Sequence, residues 1–163
     1  MHTVTEKDLQ ILTELTQNAR MTNKELSERV GLSQSGCLER VRRLEERGVL
    51  LGAHASVAPE AVGVGVQAIV AVRLRRHTRK AVSAFRGYVL SLPEVNAFFH
   101  VTGEFDFLVY VAAADMNDLR DFGLDSLTTH AEVEQIQTSL IFEAVHRAGW
   151  PAIRPHAPTG PSS

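Results

Sequence analysis

The chain has 163 residues, 44% of them hydrophobic and 22% charged, with a formal net charge of −2. Those values belong to a soluble globular protein rather than a disordered one, and the near balance of charge argues against indiscriminate coating of nucleic acid. No apolar run approaches bilayer length, charged residues interrupt the region where a signal peptide would carry its apolar stretch, and a single cysteine cannot form an internal disulfide. The expected compartment is the cytoplasm, with no membrane association.

The first predicted helix covers residues 5–17, opened by a capping box of Thr5 and Asp8, with Leu9, Leu12 and Leu15 as its apolar face and Ile11 flanking. The second opens at Thr22 with Glu25 three residues on, and Gly31 supplies the turn that follows. Ser33 then caps a third helix that Gly48 ends. In that helix Cys37, Val41 and Leu44 form an inward stripe, which leaves Gln34, Ser35, Glu39, Arg40, Arg42, Arg43 and Arg47 at least partly outside. A helix held from behind, with donors in front and serines at its N-terminus, has the build of a DNA recognition helix. Residues 49–57 are β-prone and are expected to form a wing or a linking strand. Pro59 and Gly63 punctuate the chain beyond it.

From residue 66 the periodicity changes. Residues 66–74 read as a strand and 78–92 as a helix stopped by Pro93. Residues 95–102 and 105–113 form a strand pair turning tightly at Gly103-Glu104. Asp115 caps a helix reaching about residue 127, with Leu119 and Phe122 inward, and 133–145 is a last strand with Ile136, Thr138, Leu140 and Phe142 on one side. The order βαββαβ is ferredoxin-like, with an apolar open sheet face suited to a second copy of the chain. The expected fold class is therefore α+β: a winged helix-turn-helix in residues 1–52, a linker strand or hinge in 53–65, a ferredoxin-like domain in 66–147, and a disordered tail in 148–163.

Charge follows the same division. Four basic residues fall between positions 40 and 47, and six lie between 73 and 86 with no acid among them. From 94 to 143 there are ten acids and one arginine, Arg120. The positive field is focal, and the acidic half should face something other than DNA.

Three strings carry a resemblance to the Lrp/AsnC (leucine-responsive, feast/famine) transcription regulators: NKELSERVGLS at 23–33, CLERVRRLEERGVL at 37–50 and VTGEFDFLV at 101–109. The last looks like the family's G-D-Y-D-Y loop. Family members often carry proline where this chain has Gly36, which should loosen the first turn of the recognition helix.

The resemblance and the helix geometry agree on Ser33, Gln34, Ser35, Glu39, Arg40 and Arg43 for double-stranded DNA. Ser33 and Ser35 are placed for phosphate. Gln34 and Arg40 or Arg43 can read base edges bidentately, and Glu39 can hold Arg43 by a helical ion pair. The resemblance also implies a small-molecule effector, usually an amino acid, held between the C-terminal domains of neighbouring subunits. It matches Gly103, Glu104, Phe105 and Asp106, with Thr138 and Ser139 as candidate hydroxyl donors. Asp106 or Glu104 would take the ammonium group and backbone N–H groups the carboxylate. The expected assembly is a homodimer or a higher oligomer such as a tetramer or octamer.

No cofactor, metal site or catalytic residue is expected: His54, His77, His100, His130, His146 and His156 lack zinc-site spacing. His100, just before the loop, reads as a packed strand histidine. Two alternatives share the two-domain plan, a siroheme-decarboxylase-like enzyme and an architectural DNA-wrapping protein without an effector.

Overall fold

The computed structural model describes residues 4–145, so the tail expected at 148–163 lies outside the described residues. By its internal contacts the chain divides between Ala55 and Ser56. The first unit holds α1 (Glu6–Gln17), α2 (Asn23–Val30) and α3 (Gln34–Glu46).

Both predicted capping boxes form. The Thr5 hydroxyl accepts from the Asp8 N–H at 3.2 Å while the Asp8 carboxylate accepts from the Thr5 N–H at 3.0 Å. Thr22 and Glu25 repeat the exchange, and the Thr22 backbone N–H leads the bonds that draw the Glu25 carboxyl below its ordinary range. α2 ends at Gly31, whose φ of 65° would strain any residue with a Cβ, and Lys7 Nζ caps it by donating to the Val30 carbonyl at 2.6 Å. α3 ends in a Schellman motif: Val49 N–H donates to the Leu44 carbonyl and Gly48 N–H to that of Glu45, both at 2.9 Å.

The core joins Ile11, Leu26, Val30, Cys37 and Leu44, with Leu12, Leu15, Val41 and Leu50 packed around them. Burial pushes the Cys37 thiol pKa up. The inward stripe of α1 differs from the predicted one. Asp8, Ile11, Leu12 and Leu15 share a face at spacings of three and four, so Ile11 is fully buried and Leu9 falls at the flank. Residues 49–57 form no strand, because an extended segment needs a neighbour to take its hydrogen bonds and none is offered among the described residues.

The second unit runs β1 (Val66–Leu74), α4 (Arg79–Val89), β2 (Val95–His100), β3 (Phe107–Ala113), α5 (Met116–Asp121), a π-helical stretch Phe122–Thr128, and β4 (Val133–Leu140). The sheet order is β2-β3-β1-β4, antiparallel throughout, as the ferredoxin-like reading requires. Alternate residues of β1 and β3 (Ala68, Val70, Val72, Leu74 and Phe107, Val109, Val111) are buried against Phe85 and Val89 of α4 and Leu119, Phe122 and Leu127. Phe107 lies 5.2 Å from Phe85 and 4.9 Å from Phe98, ring centre to ring centre, so the aromatic side chains tie α4 to the sheet.

β4 stops at Leu140 rather than running on to 145. Its ladder partner β1 begins at Val66, and the last bond, Ile141 N–H to the Gln67 carbonyl, uses up that edge. By the same alternation, the sheet face away from the helices carries Ile69, Ala71, Leu108, Tyr110, Ala97 and half-exposed Phe99 at its centre. Gln67, Arg73, Gln135, Gln137 and Ser139 flank them, so the predicted apolar face has a polar margin along β4.

Candidate nucleic-acid interface and effector loop

Three polar ties hold the helical unit together, two of them made directly to α3. Arg29 of α2 pairs with Glu14 of α1 at 2.9 Å, and Asn23 Nδ2 donates to the Gln34 carbonyl at 2.9 Å, joining the first turns of α2 and α3. The third tie is invisible to periodicity. Asp8 sits on the buried face of α1, and Arg40 of α3 reaches its Oδ1 at 2.9 Å. Burial pushes the Asp8 carboxyl up, but hydrogen bonds from the Thr5 side chain and backbone and from Arg40 outweigh it, and the carboxyl ends below its ordinary range. Arg40 therefore locks α3 to α1, with its guanidinium turned towards the core side rather than outward.

The remaining predicted positions separate around the helix. Ser33 caps α3, its Oγ accepting the Gly36 N–H at 3.2 Å and sharing a 3.4 Å hydroxyl–hydroxyl hydrogen bond with Ser35 Oγ. Proline at 36 would delete that N–H. Glycine keeps it, so the softened turn is held by the cap. Gln34, Ser35, Glu39 and Arg43 are exposed, with Glu39 and Arg43 only 4.0 Å apart as the i,i+4 spacing predicts. At about 100° per residue, Ser35, Leu38, Glu39 and Arg42 fall on the arc opposite Cys37 and Leu44, whereas Arg40 falls only about 50° from the inward direction. Leu38 and Arg42 are both exposed, Leu38 by 58%. The same arithmetic applied to the bare sequence places these two on the outer face and moves Arg40 aside.

In the second unit, residues 101–106 join β2 to β3 as a loop closed by Val101 N–H to the Asp106 carbonyl at 2.9 Å, wider than the tight turn expected. Gly103 takes φ 127°, and a Cβ there would meet open space, so the requirement for glycine is conformational. Asp106 is already occupied: Oδ2 accepts the Leu74 N–H at 2.8 Å and Oδ1 lies 2.9 Å from His77 Nδ1. Arg73 takes Glu104, through Nη2 to Oε1 at 3.2 Å and Nε to the carbonyl at 3.0 Å, and stands 5.8 Å over the Phe105 ring. The carboxylates thus fix the loop to β1. Among the described residues, the backbone N–H groups of Thr102, Gly103, Glu104 and Phe105 meet no acceptor.

Thr138 and Ser139 do not converge on this loop within one chain. They pair with Val70 and Ile69, two strands or about 10 Å across the sheet from β3, and they point to opposite faces. His100 is exposed at the end of β2, its ring tilted 4.8 Å from that of Phe107, so the packed strand histidine expected from the sequence is not what forms; His130 lies against Phe85 and Tyr88. Among the described residues no His, Cys, Asp and Glu side chains group in a way that could hold a metal, and no helix is long and apolar enough to cross a membrane.

A helix-turn-helix with a clear outer face, followed by a ferredoxin-like domain with an open loop, defines a class of DNA-binding regulator with a ligand-binding module. Comparison with known proteins agrees. The winged helix-turn-helix DNA-binding family model matches residues 4–50 and the Lrp/AsnC ligand binding domain matches residues 67–151. The HTH-type transcriptional regulator AldR of Mycolicibacterium smegmatis is 40% identical over 141 residues, 86% of this chain and 82% of that one. The leucine-responsive regulatory protein of Rhizobium meliloti is 38% identical over 141 residues, 86% of this chain and 90% of that one. Among solved structures, a transcriptional regulator of Neisseria meningitidis in complex with L-Met superposes with a TM-score of 0.81 at 38% identity, covering 90% of this chain and 94% of that one. The chain belongs to the Lrp/AsnC family and is a DNA-binding transcription regulator.

Proposed function

We propose that this regulator reads DNA with the outer arc of α3 and changes its output when an amino acid binds at the 101–106 loop. In this reading Arg42 and Arg43 contact guanine edges or phosphates, Gln34 and Ser35 take bases or backbone at the helix start, and Ser33 donates to phosphate from the positive end of the helix. Leu38 supplies an apolar surface for a thymine methyl group. Glu39 orients Arg43, and Arg40 acts through Asp8 as a positioning residue.

The observation that carries the effector reading is the run of open N–H groups from Thr102 to Phe105, a receptor for a carboxylate. Glu104, exposed by 68% and held only by Arg73, is free to turn to an ammonium group, whereas Asp106 keeps the loop in shape. The relative crystallised with L-Met supports a ligand of this chemistry. Thr138 and Ser139 then contribute only from another subunit, or as packing residues of the sheet. The apolar centre of the open sheet face supports a homodimer, with tetramers or octamers built from it, and the effector shifts the population of placements available to paired recognition helices. Residues 1–52 serve as the DNA unit, 53–65 as the hinge and 66–147 as the sensing unit. The protein works in the cytoplasm as a regulator without catalytic activity.

The test has two arms. Replacing Arg42 and Arg43 together by Ala should weaken binding to the protein's own promoter region by on the order of tenfold to a hundredfold at physiological salt, since each base contact is worth ~1–3 kcal/mol. Unchanged affinity would place recognition elsewhere. Thermal titration with the twenty amino acids should single out one or a few that stabilise the fold, by about 2.7 kcal/mol at a hundredfold excess over Kd. No stabilisation by any of them would refute an amino-acid effector.

A further inference from the structure

The six basic residues between 73 and 86 are not all used by the fold. Arg73 is taken by Glu104, Arg75 Nε donates to the Val133 carbonyl, and Arg76 lies 3.7 Å from Glu132. Arg79, Lys80 and Arg86 are different: all three are exposed on α4, and no ion pair or side-chain hydrogen bond ties them to another described residue. They form one surface. Arg79, Ser83 and Arg86 fall in one row, and Lys80, Ala84 and Gly87 in the next. Arg79, Lys80, Ser83 and Ala84 line a shallow hollow, so the small residues leave room between the cations.

The placement of these cations also runs against the helix. Arg79 and Lys80 stand in the first turn of α4 with no acid there, where the helix dipole disfavours positive charge. α1, α2 and α5 each carry an acid in that turn, while α3, the helix assigned to DNA, also lacks one. An arrangement that costs local stability without an internal partner is the mark of a surface kept for an external anion.

We propose that the outer face of α4 is a second DNA-contacting surface, which takes the phosphate backbone of duplex flanking the site read by α3. From Arg79 to Arg86 the face extends about 10 Å along the helix, a length over which a duplex carries about six charges. No acid occurs from residue 73 to residue 93, so nothing in this stretch repels such a partner. The competing partner would be the acidic groove of another copy, lined by Glu94, Asp118, Asp121 and Asp125. One of its acids, Asp121, is already paired with Arg120 at 2.9 Å, and duplex DNA offers a denser and longer row of charge.

The proposal rests on DNA binding through the helix-turn-helix, and a short duplex limited to one recognition site reports that binding separately. The full-length Arg79→Ala, Lys80→Ala, Arg86→Ala protein should hold such a short duplex as tightly as the parent. On a duplex extended by several helical turns, the slope of log affinity against log salt should fall by about 2 to 3, close to 0.9 for each phosphate that is no longer neutralised. Arg79→Lys with Arg86→Lys, which keeps the charge, should restore the slope. An unchanged slope on long DNA overturns the proposal. A fall in assembly mass by sedimentation, with the slope following it, also overturns it and assigns the face to contact between copies.

Discussion

Asp8 and Asp106 invite comparison because each is an aspartate that stitches a functional element to its support. Asp8 fastens α1 to the recognition helix through Thr5 and Arg40, and its side chain is only 8% exposed. Asp106 fastens the 101–106 loop to the end of β1 through Leu74 and His77, at 20% exposure with a histidine that is 64% exposed. The partners differ as well: a guanidinium always charged against an imidazole that is charged only when protonated. The buried, permanently charged arrangement suits a rigid part, and the half-open one suits the moving part that the proposed effector site requires. Burial and the partner's charge, rather than the aspartate itself, separate the two roles.

This contrast makes unequal demands on stability. Replacing Asp8 by Ala removes the acceptor for Arg40 and for the helix cap, and should cost about 2 kcal/mol in urea unfolding. Its carboxyl is held below the ordinary range, so its contribution is complete above the usual aspartate value of about 4 and is lost as pH falls through the lowered value. A pH series of unfolding midpoints should therefore show the parent losing its advantage over the variant only in that acid window. Asp106→Asn should cost less, about 1 kcal/mol, because a carboxamide oxygen can still accept the Leu74 N–H. It should leave affinity for DNA unchanged without effector and weaken the amino-acid response in the same shift assay. An Asp106→Asn variant as destabilised as Asp8→Ala, with an intact response, would abolish the distinction.

Local chemistry is legible in the sequence wherever it stays local. Thr5 with Asp8, Thr22 with Glu25, Ser33 and Gly48 are signals between residues a few positions apart, and each forms as read. The order of strands and helices follows from periodicity in the same way. What escapes is set by contacts across the fold. Asp8 reads as a cap although it also occupies the inward stripe of α1, so its partner 32 residues away goes unseen and Arg40 is assigned outward. Asp106 is open to a ligand on paper because its engagement with Leu74 and His77 depends on where β1 ends. Residues 49–57 have strand-forming side chains, but a ladder needs a neighbour, which propensity does not supply.

Cys37 carries one more consequence. It is the only cysteine in the chain, lies on the inner face of α3 with no exposed surface, and burial raises its pKa. A buried thiol held in its protonated form is a poor nucleophile, so oxidants and alkylating agents pass the folded protein by. They reach the sulfur only in the moments when α3 lifts away from α1 and α2. The rate at which Cys37 is modified is thus a clock, built into the recognition helix, that counts how often the DNA-binding unit opens.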